Sequence, residues 1–179
     1  MKTNDNLKYG EDTLTGVFYT REEAENAYNV LIDKGYSTDE IILLMSDETH
    51  NTHFKDNKDD SGFQTLAMEK AGLGSAIGGT AGAVIGAIAA VGTTIALPGL
   101  GLVVAGPIVA ALSGAGAGGL AGGIIGGLVG SGIPKEKATF YEHSIKSGGV
   151  VIGVTPRSKQ DRDDITRDWK DIGGEDIHS

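Results

Sequence analysis

The sequence predicts an α+β fold: two β-α-β units forming a sandwich, with a glycine-rich α-helical hairpin inserted between them. Three observations carry this. A run of strand, Thr20, helix, Gly35 and Glu40-Ile41 is echoed by strand, Thr155, helix, Gly173-Gly174 and Asp176-Ile177. Between the two units, Lys70 and Lys135 bracket 64 residues without one charged side chain. Inside that stretch small residues recur at every fourth position, which gives a helix a ridge free of side chains. Two interleaved β-α-β halves make a ferredoxin-like sheet with helices on one side, joined by right-handed crossovers.

The boundaries follow from composition. Residues 1–13 are polar and read as a flexible N-terminus, 14–46 as the first half of the α/β domain, and 47–70 as a polar linker with a lead-in helix. Residues 71–133 form the helical hairpin, and 134–179 the second half.

Leu14 to Tyr19 is rich in β-branched and aromatic residues and reads as a strand. Thr20 and Glu23 fit a capping box. Ala24, Ala27, Tyr28, Leu31 and Ile32 then follow at helical spacing, so one face of this helix is buried, and Gly35 closes it. Ile41 to Met45 is continuously apolar over a strand's length, as in a strand covered on both faces.

Residues 46–63 read as an exposed, charge-dense loop. His50 and His53 stand there beside Asp47, Glu48, Asp56, Asp59 and Asp60. Two histidines three apart can ligate zinc where a helix aligns them, but nothing here predicts that helix. The acidic run misses the calcium-loop pattern, because Lys58 takes a ligand position and Gly62 falls one place late. A solvated loop is the better reading, and no metal or cofactor is expected.

The first half of the uncharged stretch carries Gly74, Gly78, Gly82 and Gly86, then Ala90. The second runs Gly106, Ala110, Gly114, Gly118, Gly122, Gly126 and Gly130, with a parallel row at Gly119, Gly123 and Gly127. Leu97 to Gly101 is a turn signal, and Pro107 is placed to open the second helix. Two helices of about 25 residues, roughly 37 Å each, are expected, enough for a hydrocarbon core of about 30 Å. A four-residue interval overshoots each turn by about 40°, so a long ridge winds around its helix and needs several neighbours. A dozen water-exposed helical glycines would cost on the order of 10 kcal/mol against alanine, so lipid or other copies of the chain should cover them. A flexible linker would use Ser and polar residues rather than Ala, Ile, Leu and Val. Gly116 to Ala121 imitates a dinucleotide fingerprint but follows no strand.

Beyond the hairpin, Pro134 starts a helix with Ala138, Tyr141 and Ile145 on one face, ending at Gly148-Gly149. Val150 to Val154 is a second buried strand. A last helix near 160–172 presents Ile165, Trp169 and Ile172, and Asp176 to His178 adds an edge strand. His143 and His178 have no partners in sequence.

Net charge is −9, all of it outside the uncharged stretch, which argues against nucleic acid as a partner. The chain has no cysteine, so it has neither a disulfide framework nor a thiolate metal site. Met1 to Asn6 is polar and lacks the apolar core of a signal peptide, so a cytoplasmic start is expected.

Val17 to Ala24, Gly35-Tyr36-Ser37 and Glu40-Ile41 resemble the opening of the bacterial general stress proteins of the YflT type. Gly132-Ile133-Pro134, Tyr141-Glu142 and Gly148 to Val151 resemble the segment after the glycine-rich insertion in relatives that carry one. The likeness spans about residues 14–154 and rests on the order of these motifs. It implies a stress-associated bacterial protein and supplies no catalytic residue.

Three functions follow as expectations. The first is a non-enzymatic, stress-linked protein whose hairpin packs against copies of itself, with the hairpin in or against the inner membrane and the α/β domain in the cytoplasm. Lys70, Lys135 and Lys137 on one side of an uncharged hairpin fit that orientation. The second is a soluble homo-oligomer or filament with the hairpins as its dry core. The third is a small-molecule sensor or enzyme on the sheet, for which no nucleophile–base pair or carboxylate dyad is present. The residues assigned to helix packing are Gly74, Gly78, Gly82, Gly86, Gly106, Gly114, Gly118, Gly122, Gly126 and Gly130.

Overall fold

A computed structural model describes residues 12–54, 88, 95–97, 99–114 and 122–178. The chain enters through β1 (Leu14–Phe18), α1 (Arg21–Asp33) and β2 (Ile42–Ser46), then a helical turn α2 (Asp47–Thr49) that runs into a π-helical turn (His50–Phe54). A hairpin of β3 (Ile95–Leu97) and β4 (Leu102–Ala105) leads to α3 (Ile108–Gly114) and α4 (Gly123–Gly130). It finishes with α5 (Lys135–Lys146), β5 (Val150–Val154), α6 (Lys159–Ile172) and β6 (Glu175–His178). The fold is α+β, built on one six-stranded sheet in the order β3-β4-β2-β5-β1-β6, and every pairing is antiparallel.

Local chemistry sets the elements of the two β-α-β units. The Thr20 hydroxyl accepts the Glu23 N–H, and the Glu23 carboxylate accepts the Thr20 N–H, so the capping box is complete. After α1, the Tyr36 N–H returns to the Leu31 carbonyl, closing the helix around Gly35. Ser158 caps α6 through the Asp161 N–H, and Gly173 ends it.

The sheet is covered on both faces. Leu43 and Met45 point to one side, with Leu14, Phe18 and Ile152, and meet α1 and α6 through Tyr28, Leu31, Ile165 and Trp169. Ile42 and Leu44 point to the other, with Val17, Val104 and Val151, and meet α3, α4 and α5 through Ile108, Leu112, Leu128 and Ile145. This is why β2 reads as an unbroken apolar run: alternate residues enter two different cores. Helices on one side only, as expected from the sequence, is therefore corrected.

The uncharged stretch departs further from expectation. Its turn at 97–101 joins two strands rather than two helices, and β4 pairs with β2 over Leu43 to Ser46. The open edge of β2 needs backbone partners, and the β-branched pair Val103-Val104 suits a strand, so sheet pairing wins over helical continuation. Nor does one long helix follow Pro107. Gly123 has φ +64°, in the left-handed region, and a right-handed helix cannot pass through it unbroken. Ile88 is buried in the α1–α6 core, while residues from Leu102 onward also build the opposite one.

Residues 47–54, expected as part of an exposed loop, are helical turns, and Phe54 is buried beneath the Arg21 guanidinium. Ile32, expected on the buried face of α1, is exposed, while Glu25 of the same helix is buried. The lead-in helix at 63–70 lies outside the described residues.

Candidate functional site

α4 carries the part of the glycine pattern that an outside surface can use. Ile124, Gly127 and Leu128 face the core, while Gly122, Val129 and Gly130 are exposed and Gly126 is half-buried between them. Around a helix those outward positions fall on one side, as a four-residue interval requires. The row Gly122-Gly126-Gly130 thus runs along the open side of α4. Gly127, from the parallel row, is spent inside the molecule: a Cβ there would come within 3.3 Å of Leu100 Cδ1 and 3.5 Å of Leu112 Cδ2.

The remaining assigned glycines divide three ways. Gly106 is on no helical ridge; it makes the turn from β4 into α3 at φ +80°. A Cβ there would lie 1.9 Å from the Ile41 carbonyl oxygen, so it serves the fold and not an interface. Gly114 is the last residue of α3. Gly74, Gly78, Gly82, Gly86 and Gly118 lie outside the described residues.

β3 presents a further exposed apolar edge. It ends the sheet with Ile95 and Ala96 exposed and Leu97 half-buried, and among the described residues no strand pairs with its outer side. Four large apolar residues are notably exposed among those described, and two of them, Ile95 at 43% and Val129 at 42%, lie on the uncharged stretch. The strand was not foreseen, because three small and aliphatic residues carry no readable period.

The polar clusters of the molecule have structural partners. At the end of the sheet near the α6 N-terminus, the Tyr36 hydroxyl donates to Asp161, and the Arg157 guanidinium stacks 4.2 Å from the Tyr36 ring centroid. The Arg157 backbone N–H reaches Asp161 at 3.0 Å, and its guanidinium donates to the Gly35 carbonyl at 2.8 Å. Burial and then the bond to Asp161 push the Tyr36 phenol up to about 12. The Ser37 backbone N–H and then its hydroxyl hold the Glu40 carboxyl below its usual range, with Arg157 3.4 Å away adding to this. These contacts lash the first β-α-β unit to the second, and sequence reasoning missed them because the partners are far apart in the chain.

Glu25 Oε2 accepts the Ile88 N–H at 3.1 Å, fixing one residue of the uncharged stretch against α1. His50 and His53 lie on the π-helical turn, the His53 ring edge-on to Phe54, and no group able to hold a metal occurs among the described residues. His143 is exposed, and His178 stands 3.7 Å from Asp176. A shallow, open depression on α6 is lined by Asp163, Thr166, Arg167, Lys170 and Asp171. Among the described residues, no helix is long and apolar enough to cross a membrane. No family model, curated protein or solved structure matches the chain.

Proposed function

We propose that this chain is a non-enzymatic assembly protein, in which a ferredoxin-like α/β domain associates with copies of itself through the uncharged stretch. One observation carries the reading: a chain of net charge −9 keeps every charge off 64 consecutive residues, and that stretch presents Ile95, Val129 and a glycine row to the outside. Two acidic copies repel over most of their surface, and here they can approach without like-charge cost. The sub-order β6-β1-β5-β2, with two interleaved β-α-β units, supports the ferredoxin-like assignment. The resemblance to general stress proteins is what supports a role under stress.

Contact with a membrane through the same surface is a second reading, favoured by the exposure of Ile95 and Val129 within a stretch bounded by Lys70 and Lys135. Sedimentation velocity without detergent, run beside flotation with zwitterionic lipid vesicles, tests both. Oligomers in the absence of lipid support assembly as the primary function. A monomer that floats with vesicles would move the function to the membrane, and a monomer that does neither would remove the proposal.

A further inference from the structure

We infer that the contact between copies is made by β3 pairing with β3 of a second chain, antiparallel about a two-fold axis, so that two six-stranded sheets join into one. This rests on the assembly reading above and specifies its geometry.

The two edges of the sheet are finished in opposite ways. β6 carries Glu175 and Asp176 with His178, and Asp176 has φ +46°, outside the extended region. Its pairing with β1 also shifts register between Thr15 and Val17. Charge and an irregular backbone are the usual protection of an edge against a further strand. β3 has neither: it is Ile95-Ala96-Leu97, evenly paired to β4 at Val104, Val103 and Leu102. Among the described residues no strand pairs with its outer side, and an edge of unpaired backbone groups and apolar side chains is a template for another strand.

The occupant is a second copy, for reasons of charge and register. With the rest of the chain acidic overall, a copy of itself comes close at least electrostatic cost where both partners are neutral. The one register that pairs all three residues with themselves places Ala96 opposite Ala96 and Ile95 opposite Leu97. It therefore sets the smallest side chain at the axis and two apolar cross-strand pairs beside it. Such a self-complementary contact closes as a dimer.

The absence of cysteine makes the test direct. In an antiparallel pair, opposed Cβ atoms lie about 4.5–5.5 Å apart, near disulfide range. Full-length A96C should form a disulfide-linked dimer under mild oxidation, whereas D163C, on exposed α6, should not. I95K, at a position already exposed, should weaken association at least tenfold in sedimentation while its thermal midpoint stays near that of the wild type. If A96C links no better than D163C and I95K still assembles while the wild type is oligomeric, strand pairing is overturned and the assembly reading survives. If the wild type is a monomer at all concentrations, both fall together.

Discussion

The two faces of the sheet are held by different means. On the α1–α6 face, Trp169 Nε1 donates to the Ala27 carbonyl at 3.1 Å and its ring meets Phe18 edge-on at 5.6 Å. Lys34 pairs with Asp168 at 3.1 Å, and the Tyr36–Arg157–Asp161 cluster ties the two β-α-β units together. The opposite face is joined mainly by aliphatic contact, with the Thr15 and Tyr141 hydroxyls bonded at 2.9 Å between sheet and α5. On the first face Trp169, Lys34, Tyr36 and Arg157 have fixed polar partners. The second ends outward in glycine and valine, which is a surface suited to a further neighbour.

The largest effect that should separate the faces is on stability. Trp169→Ala should cost about 3–5 kcal/mol, measured by urea unfolding, since it empties the centre of the α1–α6 core. Tyr141→Phe on the other face removes a single hydroxyl and should cost only about 1 kcal/mol. Comparable losses from both would break the contrast.

Next comes the junction where the chain passes from the sheet into the second layer. Gly106→Ala forces a Cβ into the Ile41 carbonyl at a left-handed φ, and should cost more than about 2 kcal/mol in the same assay. Gly122→Leu, at an exposed position beside α4, should leave the unfolding midpoint almost unchanged.

The smallest effect concerns two buried phenols of the α1–α6 face. Tyr28 is pushed up to about 12 by burial and then by the Glu25 and Asp39 carboxylates, and Tyr36 likewise by burial and then by Asp161. The native state keeps protons that the unfolded chain releases near pH 10, so this stability is complete below that pH and is lost between about 10 and 12. Alkaline unfolding followed by phenolate absorbance should begin in that window. Tyr28 Oη has no hydrogen-bond partner among the described residues, so Tyr28→Phe should be neutral or stabilising by up to about 1 kcal/mol and should delay alkaline unfolding. A large loss of stability instead would mean that the hydroxyl is bonded.

Much of the α/β framework was legible before the structure. The Thr20–Glu23 box, the apolar spacing of α1 and α6, the runs at Ile41 to Met45 and Val150 to Val154, and the short strand after Gly173-Gly174 each carry a local signal that tertiary packing reinforces. The uncharged stretch carried a four-residue period of small residues but no period of large apolar ones. Gly, Ala, Val and Leu in a row satisfy a helix, a strand or a turn equally, and the choice at 95–105 was made by the vacant edge of β2, which no local pattern announces. Gly123 likewise reads as one more ridge position until its φ is known. Of the candidate surface, Gly122, Gly126 and Gly130 were among the residues assigned from the sequence, whereas the β3 edge was not.

Sedimentation of the full chain against the double variant Ile95→Glu/Val129→Glu, without detergent or lipid, tests the central claim most directly. Both residues are already exposed, so the substitutions should leave folding intact while placing two more negative charges on the neutral surface. The expected result is a concentration-dependent oligomer for the wild type and a monomer for the variant. Identical sedimentation of the two, whether as monomers or as oligomers, would contradict it.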